Sequence, residues 1–426
     1  MRRHSFSGAP AFVLLIALLS TVLIGSLDAQ WLGVDWSAQS RHDYELVEVD
    51  DAPEIQSLDT LFLSLTAVQQ TSGPALRYHL SGGIGYSPQT GRISLDEGRE
   101  VVVYPGPLGV EALWDPEGRG GRWISGRLGR IEVTDGTGIL FENPRGLYPT
   151  QLLDGAGAAV RYPGWFGSLE VGYLGLLDKD LNHIRLSPED VVDAADGDTY
   201  FGPKRLLSVL NLQAGSLLWR QDGGLIAVLQ EDLGGSSQDV SSYYLGPVVR
   251  GPLTAGFSHV GGVVVAYTRA SQDDDSGVSL LAFWDLNYTV PIEQLNEAWI
   301  AVRYGSSDGS SLVRFPTLGG PAVGSVLRHP LSDVVSFEIG TDAVYPIPPN
   351  GAVIVPSLST ALLFVPSGDA GGSDAIEPSG TFGGFEVEVG ADYRLQEDLS
   401  VAASAAWSFL DGAVRPAFRL LGRIAL

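Results

Sequence analysis

Apolar and polar positions alternate along most of this chain with the period of a β-strand, and the alternation is cleanest near its end. Phe385, Val387, Val389, Ala391 and Tyr393 alternate with Glu386, Glu388, Gly390 and Asp392. After a Gln396-Glu397-Asp398 turn, Leu399, Val401, Ala403, Ala405, Trp407 and Phe409 alternate with Ser400, Ala402, Ser404, Ala406 and Ser408. Side chains on a strand point to opposite faces in turn, so each segment has one oily face and one small, polar or charged face. The same reading predicts strands at 61–67, 76–86, 106–114, 121–133, 154–162, 166–177, 204–217, 223–232, 241–250, 254–269, 277–291, 296–305, 334–345, 352–365, 383–394, 399–410 and 416–426, with a weaker segment at 101–104. Most are close to the roughly 9 to 11 residues that a tilted membrane-spanning strand needs. The expected fold is all-β, an antiparallel transmembrane barrel of about 16 to 18 strands, an even number being the rule for single-chain bacterial barrels.

The links between these segments come in two lengths. Short ones fall at 291–295, 346–351 and 395–398, each with a tyrosine near the preceding strand end: Tyr288, Tyr345 and Tyr393. Long polar ones fall at 178–202, 306–333 and 366–382. A barrel with short periplasmic turns and long outer loops gives this rhythm, and Tyr288, Tyr345, Tyr393 and Trp407 are the expected interfacial aromatics. A secreted β-sandwich would alternate too, with its oily face turned to a core. Small residues and glycines on the polar face, the two link lengths and the strand that ends the sequence favour the barrel.

The N-terminus carries Arg2 and Arg3, an apolar run from Ala11 to Ile24, and small residues up to Ala29. This reads as a signal peptide over 1–29, since the apolar run falls short of the roughly 20 residues of a spanning helix. No later stretch is apolar enough for such a helix, so a membrane-embedded chain must span as a closed barrel. Residues 30–56 are acidic, contain Trp31 and Trp36, and show no clear period; they read as a periplasmic or lumenal extension, with the barrel over 57–426. The chain has 26 basic and 50 acidic residues, a net charge of −24, and no cysteine. That balance argues against a nucleic-acid partner, while the absent cysteine excludes disulfides, thiolate metal sites and a lipid-thioether anchor.

With the alternation, the leader and the links in view, the chain resembles Gram-negative outer-membrane porin-like proteins, of the alginate-export or OprD type or the porin-like proteins of spirochaetes. Its ending, with Phe418, Leu420, Gly422, Ile424 and Leu426 on one face, is similar to the assembly signal of such barrels, although it closes on leucine instead of an aromatic. Gly129-Arg130-Ile131, Asp135-Gly136, Leu153-Asp154-Gly155 and Val160-Arg161-Tyr162 are similar to the strand, inward loop and strand of channel-forming relatives. The resemblance implies an outer-membrane location, contact with membrane lipid and lipopolysaccharide, insertion by the barrel-assembly machinery, and passage of small hydrophilic solutes without a cofactor.

Charges on the polar faces would line such a channel and set its selectivity. Arginines gather early, at Arg119, Arg122, Arg127, Arg130 and Arg161, with Arg77 before them; carboxylates gather late, at Glu338, Asp342, Glu386, Glu388 and Asp392. Glu170 and Arg303 complete the expected lining. Set on separated parts of one wall, the two groups would create a transverse field. The link between Thr134 and Asp154, with Phe141, Glu142, Arg145 and Tyr148, could fold inward as a constriction or stay at the surface. With the arginines it would form an eyelet favouring anionic or hydroxylated solutes.

Catalysis is not expected. His79 falls on a polar face beside Arg77, His259 on an apolar face with Phe257, and neither has a serine-nucleophile or metal-site motif around it. Acidic links such as Asp193, Asp196 and Asp198 miss the spacing of a calcium loop. A non-conducting barrel used as an adhesin or structural surface protein remains the alternative to a channel.

Overall fold

The computed structural model describes residues 32–49, 52–69, 75–86, 101–115, 121–133, 137, 139–141, 152–175, 205–218, 220–232, 240–270, 276–292, 295–306, 334–347, 351–364, 382–396, 399–410 and 413–425. They form one antiparallel sheet of β1 (Leu32–Val49), β2 (Ala52–Gln69), β3 (Ala75–Tyr86), β4 (Val101–Trp114), β5 (Trp123–Glu132), β6 (Leu152–Tyr162), β7 (Trp165–Gly175), β8 (Arg205–Leu218), β9 (Gln221–Asp232) and β10 (Val240–Thr254). It continues with β11 (Phe257–Ala270), β12 (Ser276–Ile292), β13 (Leu295–Gly305), β14 (Val334–Ala343), β15 (Tyr345–Ile347), β16 (Ala352–Phe364), β17 (Phe382–Gln396), β18 (Leu399–Leu410) and β19 (Ala413–Ala425). Each strand pairs with its sequence neighbours, and β19 pairs back onto β1, Ser37 opposite Ala425 and Glu45 opposite Ala417, so the sheet closes on itself. β14 and β15 lie end to end along β16. Counted as one, they leave a barrel of eighteen wall strands.

Closure corrects one expectation: β1 runs through the segment assigned to an N-terminal extension. It pairs with β2 over its whole length, from Leu32 opposite Gln69 to Val49 opposite Ala52. Its weak alternation has a physical reason. Val34 and Trp36 stand exposed, but from Gln39 to Asp43 polar residues occupy both parities of the strand, so no apolar row continues along it. The weak segment at 101–104 is also part of a strand, continuing through Pro105 and Pro107 into β4, where the register against β3 shifts between Leu80 and Gly82. Residues 1–29 lie outside the described residues.

The two faces are those the alternation predicts. Leu169, Val171 and Tyr173 on β7, Val263, Val265 and Tyr267 on β11, and Val401, Trp407 and Phe409 on β18 are exposed large apolar residues on the outer face. Glu170, Ala266, Ser279, Ser336, Glu386 and Ser408 are buried on the inner face. An outer surface this apolar suits hydrocarbon, and closure leaves no strand edge unpaired among the described strands. Tyr345, Tyr393 and Trp407 stand exposed on the outer wall, and Tyr288 stacks on Phe257 with ring centroids 4.3 Å apart.

One end of the barrel carries tight links, for example Tyr162 to Trp165 with Gly164 at φ 79° and Thr254 to Phe257 with Gly256 at φ 81°. These are left-handed backbones that glycine adopts without a Cβ penalty. The other end carries the long connections between β3 and β4, β5 and β6, β7 and β8, β13 and β14, and β16 and β17. Two links at that end are nonetheless tight, Val49 to Ala52 and Leu410 to Ala413.

The wall is creased along four glycines in cross-strand register: Gly109 opposite Gly129, Gly129 opposite Gly155, and Gly155 opposite Gly172. A Cβ on Gly155 would lie 2.1 Å from the Val171 carbonyl oxygen, and one on Gly129 would lie 2.4 Å from that of Leu108. These glycines fall on the inner face, so the close approach marks the concave side of a sharp bend of the kind glycine permits in sheets.

Candidate functional site

The inner wall is the site, and its charged side chains are best described by register, because neighbours at one height are those that can interact. On β3 to β7 the row runs Arg77, Glu111, Arg127, Gly157, Glu170. Arg77 Nη1 lies 3.5 Å from Glu111 Oε2, and His79 Nε2 lies 4.0 Å from the same oxygen. Arg127 donates to Glu170 Oε1 across the intervening strand. Glycine at 157 leaves room for that reach, since a Cβ there would lie 3.1 Å from Glu170 Cγ and 3.6 Å from Arg127 Nε. Glu170 is 2% exposed, and its Oε2 has no hydrogen-bond partner among the described residues.

Across β12 to β18 the row runs Asp285, Ala301, Glu338, Ala361, Glu386, Ser408. Alanine stands between successive carboxylates, which are therefore on alternate strands and roughly 10 Å apart. Nearer the short-link end, Glu297 stands directly opposite Asp342, and Glu388 and Asp392 follow Glu386 along β17. Two arginines on this side are matched locally: Arg303 donates to Asp285, and Arg394 Nε donates to Asp392 Oδ2 at 2.6 Å. The inner face of β18 is Ser400, Ala402, Ser404, Ala406 and Ser408, a strip of small residues beside the acids of β17.

Arg77, Arg127, Arg161, Glu170, Arg303, Glu338, Asp342, Glu386, Glu388 and Asp392 thus take inward positions. Arg161 lies near the short-link end, where the rings of its two cross-strand neighbours, Trp123 and Phe166, meet at 6.1 Å. Two expected lining residues do not face inward. Arg122 precedes β5 on the outward register and lies over the outward ring of Tyr162, 4.6 Å from its centroid. Arg130 is three residues from Arg127, an odd step that reverses the face. It sits in register between exposed Leu108 and Asp154, and grips Asp154 through Nε to Oδ1 at 2.8 Å and Nη2 to Oδ2 at 2.7 Å. Arg119 lies outside the described residues. Among the described residues the early arginines therefore form no single basic cluster.

Part of the link between β5 and β6 lies inside the barrel. Ile139, Leu140 and Phe141 are 3%, 1% and 2% exposed and belong to one apolar cluster with Leu153, Leu207, Val209, Ile226, Val228 and Val264 of the inner wall. Burial of three consecutive apolar residues anchors this link far more firmly than a polar surface loop. Thr137 closes a recess with Asn211, Gln213, Ile226, Val248 and Arg250. There Arg250 donates to the Gln213 side-chain oxygen Oε1, and Gln213 Nε2 donates to Asn211 Oδ1 at 3.4 Å. Glu142, Arg145 and Tyr148 lie outside the described residues. The sequence reading missed Glu111, Gly157 and the recess. Glu111 shares the face opposite Val110, a signal present in the alternation, whereas Gly157 gains meaning only from cross-strand register.

His259 lies on the outer face, where Trp284 Nε1 donates to its Nδ1 at 3.4 Å and its Nε2 lies 2.8 Å from Gln221 Oε1. No group of three or more histidines and carboxylates that could hold a metal occurs among the described residues.

This architecture has solved counterparts. The outer membrane protein OpdK of Pseudomonas aeruginosa superposes with a TM-score of 0.59 at 11% identity, covering 92% of this chain and 99% of that one. OccAB2 of Acinetobacter baumannii gives 0.56 at 11% identity over 92% and 98%, and OprD of P. aeruginosa gives 0.53 at 15% identity over 92% and 95%. OpdK has also been crystallised with vanillate. No protein-family model and no curated protein sequence matches the chain. At these identities the likeness establishes the fold, an eighteen-strand barrel of the OprD type.

Proposed function

We propose that the protein is an outer-membrane channel for the passive diffusion of small hydrophilic solutes. The observation that carries this reading is the two-solvent wall: a closed barrel with exposed aliphatic and aromatic rows outside and charged rows in register inside. A lumen of this strand number is wide enough for water and solutes, and charges at its wall act on what passes. The short-link end is then periplasmic and the long-link end external, with lipid and lipopolysaccharide around the wall and the barrel-assembly machinery as the partner during insertion. The inward-packed Ile139–Phe141 segment is the constriction, and the matched charges on β3 to β7 facing the carboxylates on β12 to β17 supply the field inside it.

One observation favours a second reading. The interior apolar cluster spans inward positions from β5 to β16 and is almost fully shielded from solvent, as a plugged barrel serving as a surface or structural protein would have it. Liposome swelling with neutral sugars of graded size separates the two. A channel admits small sugars and excludes larger ones; a plugged barrel admits none. Vanillate, an aromatic carboxylate seen with OpdK, is a useful further probe in the same assay.

A further inference from the structure

We infer that Gly157 and Glu170 set the charge preference of the lumen by holding the Arg127 guanidinium against the wall, so that Arg127 offers no free anion site. The inference rests on the channel reading and adds the residues that govern selectivity on one side of it. Arg127 and Glu170 are on β5 and β7, which do not pair, and the only strand between them carries glycine at the matching position. Arg127 therefore lies across the backbone of β6 to reach Glu170, and its side chain is 27% exposed. A Cβ at Gly157 would lie 3.1 Å from Glu170 Cγ and 3.6 Å from Arg127 Nε, so a branched side chain on β6 would stand in the arginine's path. The φ of Gly157 is not in the left-handed region, so backbone conformation does not demand glycine there. The room left beside the pair is what a larger side chain would fill.

The consequence follows from geometry. An arginine in a lumen has about 6 Å of flexible stem and would extend into water if nothing retained it. Glu170 retains it by a charge-assisted hydrogen bond, stronger than a neutral one. Its neighbour in register, Glu111, is shared with Arg77 and His79, so the row presents paired charges at the wall. Removing the carboxylate charge or filling the notch releases the guanidinium toward passing ions.

Reversal potentials of the full-length protein in planar bilayers under a potassium chloride gradient test this. Glu170→Gln is expected to raise the chloride-to-potassium permeability ratio by about threefold, the effect of one uncompensated cation in a confined pore. Gly157→Val, which changes no charge, is expected to shift the ratio in the same direction. Arg127→Gln is expected to shift it the opposite way, and the double variant Arg127→Gln with Glu170→Gln to restore the wild-type ratio, as a mutual pair requires. Wild-type ratios in both Glu170→Gln and Gly157→Val, in protein that retains heat-modifiable gel migration, overturn the inference. If Glu170→Gln does not fold, the Gly157→Val and double variants decide it. Absence of any conductance in the wild-type protein overturns the channel reading, and this inference with it.

Discussion

The walls formed by β3 to β7 and by β12 to β17 are built from the same residue types and arrange their charges differently. On the first, each described inward arginine at the central height has a carboxylate within reach, Arg77 with Glu111 and Arg127 with Glu170. On the second, Asp285, Glu338 and Glu386 stand at one height with alanines between them, and Arg303 reaches Asp285 from the neighbouring strand. Like charges held roughly 10 Å apart repel less than half as strongly as they would at about 4 Å. The comparison teaches that a barrel wall can hold several carboxylates at one height by setting a small residue on each strand between them.

The largest expected effect comes from destroying the geometry of the first wall. Gly155→Val forces a Cβ into the Val171 carbonyl oxygen, 2.1 Å away, and against the Gly172 Cα at 2.5 Å, both of them backbone that cannot swing aside. Loss of the heat-modifiable folded form from membranes is the expected result; wild-type yield and migration would show that the crease can open freely. Next comes Phe141→Ala, which removes a ring that is 2% exposed from the internal cluster. It should destabilise the inward link by about 3–5 kcal/mol, in line with buried aromatic truncations. Single-channel conductance should rise, with larger sugars admitted in liposome swelling.

A subtler change sharpens the contrast between walls. Glu338→Gln with Glu386→Gln removes two carboxylates from the spaced row, and cation preference in reversal-potential measurements should fall by about twofold to fivefold. Arg303→Gln should move it the other way and less, because it leaves Asp285 uncompensated beside an already acidic wall. The smallest effect is expected at Arg130→Gln. This breaks a bidentate pair with Asp154 on the outer face, at about 1–3 kcal/mol of stability in a chemical-denaturant titration, and should leave the reversal potential at the wild-type value.

Much of the wall is legible in the sequence because a strand in a barrel separates two solvents residue by residue. Val401, Trp407 and Phe409 against Ser400, Ala406 and Ser408 read correctly for that reason. β1 does not, because Asp35, Gln39, Asp43 and Glu45 share the strand with Ser40 and His42, and contrast between the faces is lost. Its identity as wall comes from pairing with both β2 and β19, a contact between distant parts of the chain. The site is harder still. Arg122, Arg127 and Arg130 are neighbours in sequence but not on one face, and counting parity from exposed Leu128 puts Arg122 and Arg130 outside. The partner of Arg127 lies 43 residues further on. Only the register of β5, β6 and β7 brings the two together.

The glycine crease lies two residues from this pair along both strands: Gly129 follows Arg127 and Gly172 follows Glu170 at the same interval. Bending a sheet draws its non-adjacent strands together on the concave side, which here is the lumen. Curvature therefore acts as an electrostatic parameter in this barrel. A flatter wall with the same charged side chains would hold the arginine and the glutamate apart, and the inner face would present a different salt bed. Gly129 and Gly172 carry no charge, yet through the bend they bear on how the charges of the lumen wall are arranged.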